Sequence, residues 1–231
     1  MLKLSNVNTF YGKSHALFDI NLHIPAGKIF AVMGRNGVGK TTLLRCLLGL
    51  TDNTDGKIRL GDINITHLDT YLRARAGIAY VPQGREIIPD FTVRENILMG
   101  GYARNDGYME IPKEVNDLFP YLKDNMDRYG GLLSGGQQQQ LAIARALAAN
   151  PKVLLMDEPT EGIQPNIVRQ IEETIMRLNS DIGITVVLVE QNVRFAREAG
   201  HQFVMLEKGS IVVNAPIEEL TDEIVHKHMT V

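Results

Sequence analysis

The feature that most constrains the fold is a glycine-rich segment between two apolar segments. It reads Gly34-Arg35-Asn36-Gly37-Val38-Gly39-Lys40-Thr41, and the five residues before it, Ile29–Met33, are all apolar. An apolar run bounded by a turn and a glycine-rich loop is typical of a strand that is buried on both faces. Leucines at helical spacing follow the loop, and Gly49 is placed to end that helix. The order strand, loop, helix predicts an α/β protein with a buried parallel sheet.

The glycine-rich segment matches the pattern G-x-x-x-x-G-K-[ST], whose geometry suits phosphate groups. Glycines let the backbone curl so that successive N–H groups point at phosphate oxygens. The helix N-terminus adds a partial positive charge, and Lys40 adds a full one near the β- and γ-phosphates. Thr41 offers a hydroxyl group to Mg²⁺. The segment therefore predicts a nucleoside triphosphate site rather than a plain strand-to-helix turn.

A pair of acidic residues follows another apolar run, Val153–Met156. An acidic side chain at the end of a buried strand can hold Mg²⁺ directly or through water, which is the role we expect for Asp157. The adjacent Glu158 can orient and deprotonate an attacking water. The alternative is an ordinary strand that ends in two solvated acids, and the phosphate-binding pattern earlier in the chain weighs against it.

Composition excludes several classes of protein. The chain has 231 residues, with 24 Lys and Arg against 27 Asp and Glu, so its net charge is −3. A protein that binds nucleic acid by neutralising phosphates is usually basic, so we expect no nucleic-acid partner. A single cysteine, Cys46, excludes an internal disulfide, and no apolar run approaches the ~18 residues of a membrane span. These features predict a soluble cytosolic protein.

The rest of the pattern predicts a core with one insertion. Strands are expected at 18–24, 78–81, 153–156 and 185–189, and a hairpin at 203–213, whereas 52–56 is expected to be a turn. Between them, residues 85–150 are predicted to be a mostly helical subdomain, with a capping box at Thr92 and Glu95 and an amphipathic helix through 115–122. The chain is thus expected to form one domain, with a catalytic core of 1–84 and 151–231.

The run Leu133-Ser134-Gly135-Gly136-Gln137 has two interpretations. Ser134 and Gln137 satisfy a capping box at the start of a helix over 137–149. A capping box does not require two glycines, however, and glycines leave a helix N-terminus open to a phosphate group. Of the two helix starts suited to phosphate, only the one at Gly39 carries a lysine, Lys40. This difference indicates that the helix start at Ser134 binds a phosphate held at another site.

Taken together, these motifs resemble those of the ATP-binding cassette (ABC) ATPases, over essentially the whole chain. The resemblance implies a P-loop NTPase core with an N-terminal antiparallel β region and an inserted helical subdomain. It implies that two cassettes, identical or homologous, pack head to tail around ATP and Mg²⁺. The expected nucleotide-binding residues of one chain are Tyr11, Gly34, Arg35, Asn36, Gly37, Val38, Gly39, Lys40, Thr41 and Thr42. Those expected to reach ATP from the other chain are Ser134, Gly135, Gly136 and Gln137.

The resemblance also implies roles for single residues. Tyr11 would stack on adenine, and the alternative is an ordinary strand-end tyrosine. Glu158 would be the catalytic base, and Thr41, Gln83 and Asp157 would hold Mg²⁺, the last through water. Two positions depart from the general pattern: Gln191 stands where a histidine usually faces the γ-phosphate, and Gln164 replaces an aspartate in the run Glu161–Pro165. Gln191 can still donate a hydrogen bond but cannot carry charge.

The same departures resemble the cassettes of branched-chain amino acid importers. The runs Val81–Glu86, Gln137–Gln140 and Glu161–Pro165 are most similar to the urea importer branch of that group. This implies an ATPase at the cytoplasmic face of the inner membrane, with two permease subunits and an extracytoplasmic solute-binding protein as partners. Two alternatives are a soluble cassette ATPase that acts on DNA or ribosomes, and a regulator that binds ATP without hydrolysing it.

Overall fold

The computed structural model describes residues 1–229 and contains two β-sheets and several flanking helices. The strands in chain order are β1 (Leu2–Tyr11), β2 (Ser14–Ile24), β3 (Ile29–Met33), β4 (Asn53–Leu60), β5 (Ile63–Asn64), β6 (Ile78–Val81), β7 (Val153–Asp157), β8 (Thr185–Val189), β9 (Gln202–Glu207) and β10 (Ser210–Pro216). The helices are α1 (Lys40–Leu48), α2 (Thr70–Ala76), α3 (Val93–Gly101), α4 (Lys113–Leu118), α5 (Pro120–Lys123), α6 (Gly135–Ala148), α7 (Pro165–Ser180), α8 (Val193–Ala199) and α9 (Asp222–Met229). Within residues 1–229, no helix combines the length and the apolar character needed to cross a membrane.

The larger sheet has the strand order β10-β9-β3-β8-β7-β6. Strands β3, β6, β7, β8 and β9 run parallel, and β10 pairs antiparallel with β9. Every residue of β3, β7 and β8 is buried, because helices cover both faces of a parallel sheet. The α/β class and the buried strands predicted from continuous apolar runs are confirmed.

The smaller sheet is antiparallel, with the order β2-β1-β4-β5. Helix α1 lies in one hydrophobic cluster with this sheet and with one face of the larger sheet, through Leu43, Leu44, Leu47 and Leu48. Gly49 ends the helix in the left-handed conformation, at φ 74°, where glycine is least strained. The glycine-rich loop therefore projects from the junction of the two sheets.

The expected turn over 52–56 is wrong, because strand β4 begins at Asn53 and pairs with β1. The ladder between them is irregular between Ser5 and Asn8, and Gly56 lies opposite this irregularity with φ 91°. A Cβ atom on Gly56 would lie 2.2 Å from the carbonyl oxygen of Asn6. The turn-forming residues thus reflect a close backbone approach within a strand rather than the end of one.

Four helices, α3 to α6, occupy the segment between β6 and β7. The capping box at Thr92 and Glu95 is confirmed by reciprocal hydrogen bonds of 2.7 and 3.2 Å. The single helix expected over 115–122 is wrong: α4 and α5 are separated at Phe119, whose φ and ψ are −126° and 69°. Pro120 follows directly, and a residue before proline avoids the helical conformation.

The predicted helical insertion packs directly against the rest of the chain. Helix α6 belongs to the same hydrophobic cluster as α3, α7 and one face of the larger sheet, so the insertion is not separated from the core by solvent. The division into a core of 1–84 and 151–231 and a helical subdomain of 85–150 stays a prediction.

Candidate functional site

The loop between β3 and α1 has the curled backbone that its glycines predict. Gly34, Gly37 and Gly39 adopt φ values of 139°, 78° and 111°, which side chains rarely tolerate. A Cβ atom on Gly34 would lie 2.5 Å from the carbonyl oxygen of Leu206. Gly39 is the N-cap of α1 and provides no side-chain cap. The first N–H groups of α1 are therefore left for an external acceptor.

Lys40 lies across this loop. Its side chain is 5 % exposed, and its Nζ donates to the carbonyl oxygens of Gly34 and Arg35 at 2.9 and 3.0 Å. The same nitrogen lies 3.5 Å from Oε1 of Glu158. A nearly buried ammonium group is thus held between the glycine-rich loop and the end of β7, where it can meet a phosphate oxygen.

Glu158 and Gln191 meet at the ends of neighbouring strands. Strand β7 pairs with β8 in a register that sets Asp157 opposite Val189, so the residues after both strands are adjacent. The amide Nε2 of Gln191 donates to Glu158 Oε1 at 2.7 Å and to Asn36 Oδ1 at 2.8 Å. Gln191 therefore joins the glycine-rich loop to the candidate base.

Asp157 lies beneath these groups and is 1 % exposed. The Tyr80 hydroxyl donates to its Oδ2 at 3.3 Å, and its Oδ1 has no partner among residues 1–229. Burial raises the pKa of Asp157, and Glu158 adds to this, whereas the neighbouring Thr41 hydroxyl, the hydrogen bond from Tyr80 and the charge of Lys40 oppose it. Burial and Asp157 also raise the pKa of Tyr80.

A divalent cation fits this donor set. An unpartnered, buried carboxylate oxygen beside a threonine hydroxyl is the chemistry that Mg²⁺ prefers. The described residues contain no cluster of three or more His, Cys, Asp or Glu side chains that could hold a metal alone. This agrees with Mg²⁺ in nucleotide sites, which is held by one or two carboxylates together with substrate phosphates and water.

A cleft of about 300 Å³ lies beside the glycine-rich loop, Lys40 and Glu158. Its lining residues are Asn36, Gly37, Gly39, Lys40, Thr41, Thr42, Gln83, Glu158 and Glu161. Gln83 follows β6 and donates its amide to Glu161, in the loop after β7. Larger cavities, of about 490, 500 and 750 Å³, lie elsewhere in the described part of the chain, and no residue of the glycine-rich loop lines them. The convergence of an ammonium group, carboxylates and amides, rather than volume, selects the smaller cleft.

Some of the predicted site residues do not line the cleft: Gly34, Arg35, Val38, Asp157, Gln191, Tyr11 and the segment Ser134–Gln137. Tyr11 is the last residue of β1, opposite Ser14 in the hairpin, and does not line the cleft. The Ser134–Gln137 segment is also absent from the cleft lining. A single chain thus brings together the glycine-rich loop, Gln83, Glu158 and Gln191 but leaves the Ser134–Gln137 helix start apart.

The second helix start carries the predicted capping box. Ser134 N–H donates to Gln137 at 2.9 Å, and Gln137 N–H donates to the Ser134 hydroxyl at 3.4 Å. Contacts within the chain, which the sequence did not show, also bear on why glycines occupy positions 135 and 136. A Cβ atom on Gly136 would lie 2.2 Å from the Ile167 side chain, and one on Gly135 would lie 3.1 Å from the Arg85 guanidinium. Packing against Ile167 therefore favours glycine at position 136, independently of any phosphate.

Sequence reasoning missed the supports of Gln191. The Glu190 side chain is 3 % exposed. It accepts the backbone N–H groups of Gln191 and Asn192 at 2.9 and 3.0 Å and the Thr160 hydroxyl at 2.7 Å. Burial raises the pKa of Glu190, and these hydrogen bonds oppose the shift. The only available signal was an acidic residue directly after the continuously apolar β8 strand.

The fold and the site together define a P-loop nucleotide-binding protein. A glycine-rich loop follows the central strand of a parallel sheet, and a lysine and an acidic pair lie where β3, β7 and β8 end. The profile of the family described as "ABC transporter" matches residues 17–161. The chain belongs to the ABC transporter family.

Relatives and solved structures agree with this assignment. The chain is 41% identical to the high-affinity branched-chain amino acid transport ATP-binding protein BraG of Pseudomonas aeruginosa, over 93% of this chain and 92% of BraG. It is 36% identical to the probable branched-chain amino acid transport ATP-binding protein LivF of Archaeoglobus fulgidus, over 96% and 94%. The dimeric ATP-binding cassette MJ0796 bound to ADP and Pi superimposes with a TM-score of 0.80 at 30% identity, over 94% of this chain and 99% of that one. These structures confirm the ABC cassette fold.

Proposed function

We propose that this chain is the ATP-hydrolysing motor subunit of a membrane importer. The observation that carries the proposal is the contact of Lys40 and Gln191 with Glu158 at the edge of the glycine-rich loop. A cation for the phosphates and an amide donor thereby both contact the carboxylate that would activate the water. ATP is the proposed substrate, with Tyr11 stacking on the adenine ring and residues 34–42 binding the phosphates.

Hydrolysis requires a positioned water and stabilisation of the phosphate charge. The Glu158 carboxylate accepts a proton from water as the water oxygen attacks the γ-phosphorus. The bond to the β–γ bridging oxygen then breaks, which releases ADP and inorganic phosphate. Lys40 supplies a donor to the γ-phosphate oxygens as their charge redistributes. Both N–H groups of the Gln191 amide are engaged, with Asn36 and Glu158, so Gln191 must release one of these partners to donate to the phosphate.

Magnesium is the proposed cofactor, and Thr41, Gln83 and Asp157 are the residues that would hold it, Asp157 through water. When bound, Mg²⁺ would neutralise part of the negative charge of the phosphate groups. Gln83 is engaged with Glu161, so it must change partner to reach the metal.

The active unit is proposed to be a dimer of this chain or a pair with a homologous cassette. The Ser134–Gln137 helix start lies outside the cleft of its own chain, and a partner's ATP would supply the phosphate for it. The similarity to the dimeric cassette MJ0796 supports this arrangement. Closure would move the helical subdomain of 85–150, and two permease subunits at the cytoplasmic face of the inner membrane would receive that motion.

The proposed solute is urea, delivered by an extracytoplasmic binding protein. This rests on the runs Val81–Glu86, Gln137–Gln140 and Glu161–Pro165, which resemble the urea importer branch. Branched-chain amino acids are the second candidate, because two relatives, BraG and LivF, are named as branched-chain amino acid transport proteins. No nucleic-acid partner is proposed for a chain with a net charge of −3.

Uptake in the source organism tests the function and the solute together. The gene is deleted and complemented with the wild type or with Lys40→Ala, and uptake of radiolabelled urea and leucine is measured in the same cells. We expect only the wild type to restore urea uptake, with leucine uptake unchanged throughout. Loss of leucine uptake alone would favour the second candidate, and normal uptake of both would contradict a role in importing either solute.

Gln191 offers a test of the cleft's electrostatics. Gln191→Glu keeps the size of the side chain but removes its amide donor and places a negative charge beside Glu158. We expect kcat for ATP hydrolysis to fall roughly 10²-fold, with a smaller change in KM. The control Gln191→His keeps a donor and should retain more activity than Gln191→Glu. Equal kcat values for wild type and Gln191→Glu would show that Gln191 does not face the reacting phosphate.

A further inference from the structure

The loop after β6 holds a strained backbone directly behind Gln83. Arg85 and Glu86 both adopt left-handed conformations, with φ values of 70° and 46°. Neighbouring non-glycine residues in this region cost free energy, and they persist only where surrounding contacts hold them. The structure shows those contacts.

Arg145, on α6, is the first contact. Its Nη1 donates to the carbonyl oxygen of Glu86 at 2.8 Å, and its Nη2 donates to that of Arg85 at 3.0 Å. Burial lowers the pKa of Arg145 and Glu86 opposes the shift, but a guanidinium stays charged at neutral pH. The guanidinium group of Arg145 on α6 thus binds the carbonyl oxygens of both strained residues.

Arg85 itself reaches in two other directions. Its Nη1 donates to Gln138 Oε1, in the first turn of α6, at 3.5 Å, and its Nη2 donates to the carbonyl oxygen of Gly162, in the loop after β7, at 3.4 Å. Both hydrogen bonds are long. The guanidinium also fills the space over Gly135, where a Cβ atom would lie 3.1 Å from Nη1. The Arg85 side chain therefore links the loop after β6, in which it lies, to the start of α6 and to the loop after β7.

We propose that Arg85 is a positioning residue that ties the Ser134–Gln137 helix start to the loops carrying Gln83 and Glu161, and that Arg145 holds Arg85 in place. Movement of Gln83 would be passed to the surface that encloses the second chain's ATP. The inference rests on the proposed function, because it assigns Arg85 to the closing of the dimer. The role proposed for Arg85 requires a planar guanidinium group with two separated N–H donors, which lysine lacks.

The test uses full-length chains in a Glu158→Gln background, in which ATP is expected to trap the dimer. The added substitutions are Arg85→Ala, Arg85→Lys and the control Arg59→Ala, whose guanidinium bonds the carbonyl of Asp62 in the antiparallel sheet. Analytical ultracentrifugation with ATP and Mg²⁺ gives the dimer Kd. Fluorescence titration with an N-methylanthraniloyl-labelled ADP gives the affinity of the single chain for nucleotide.

We expect Arg85→Ala to weaken the dimer about tenfold or more and to leave labelled-ADP affinity unchanged. A residue needed only for folding would lower both. Hydrogen–deuterium exchange of the peptide over 133–138 should also accelerate, with the peptide over 34–41 unaffected. Arg59→Ala should match its parent in every measurement. If Arg85→Ala fails to fold, Arg85→Lys is measured in the same way and is expected to weaken the dimer in the same direction.

Two outcomes would overturn the inference, and they can be told apart. An unchanged dimer Kd in the folded Arg85 variant, with the parent dimerising normally, would remove Arg85 from this role and leave the proposed function intact. A parent Glu158→Gln chain that binds labelled ADP but stays single with ATP would refute both the proposed dimer and the role of Arg85.

Discussion

Glu158→Gln is expected to lower steady-state ATP hydrolysis by about 10²–10⁴-fold, while the variant still forms dimers with ATP. The glutamine oxygen can accept the hydrogen bonds that Lys40 and Gln191 direct at Oε1 of Glu158. A neutral amide cannot, however, take a proton from water. Phosphate release measures the rate, and light scattering after size-exclusion chromatography measures the association.

The matched control is Glu173→Gln, an exposed carboxylate on α7, which should retain wild-type turnover. Ordinary hydrolysis by Glu158→Gln would show that another group activates the water. Loss of nucleotide binding together with turnover would instead mean that the carboxylate charge is needed to hold Lys40 in place.

Arg73→Met is expected to destabilise the protein by about 3–5 kcal/mol, since four buried carbonyl oxygens would each lose a donor. Arg73 is 3 % exposed. Its guanidinium donates to the carbonyls of Cys46 and Leu47 at the end of α1, and to those of Thr66 and Leu68, at 2.7–3.0 Å. Methionine keeps an apolar stem but makes none of these bonds. Denaturant unfolding measures the change.

Arg75→Met provides the comparison on the same helix. Arg75 is exposed and lies over the Tyr71 ring at 5.7 Å, so its loss should cost about 1 kcal/mol or less. Similar destabilisation by the two substitutions would show that the carbonyls around Arg73 find other donors or water.

Local patterns account for the parts of the site that were predictable. The backbone of the Gly34–Thr41 loop, the capping boxes and the buried parallel strands follow from residues that are neighbours in the chain, and the structure agrees with them. The helix expected over 115–122 failed on a local signal, because Pro120 keeps Phe119 out of the helical conformation. The turn over 52–56 failed for a different reason, since pairing with the distant strand β1 overrode the local preference for a turn.

Contacts between distant segments could not be predicted, because no local sequence pattern indicates them. Three sets of hydrogen bonds join groups from different elements. They are those of Arg73 with four carbonyl oxygens, those of Arg145 with the carbonyls of Arg85 and Glu86, and that of Gln83 with Glu161. A long cationic side chain can find carbonyl acceptors almost anywhere in a fold, so its sequence position does not reveal its partners.

The amino-acid sequence alone determined the order of strand, glycine-rich loop and helix, and the chemical groups at each strand end, because backbone conformation and burial period are encoded within a few residues. Only the tertiary structure decided that the ends of β3, β7 and β8 lie side by side, since strand order depends on pairing between segments far apart in the chain. That pairing places Lys40 and Gln191 against Glu158 and leaves Ser134 outside the cleft of its own chain.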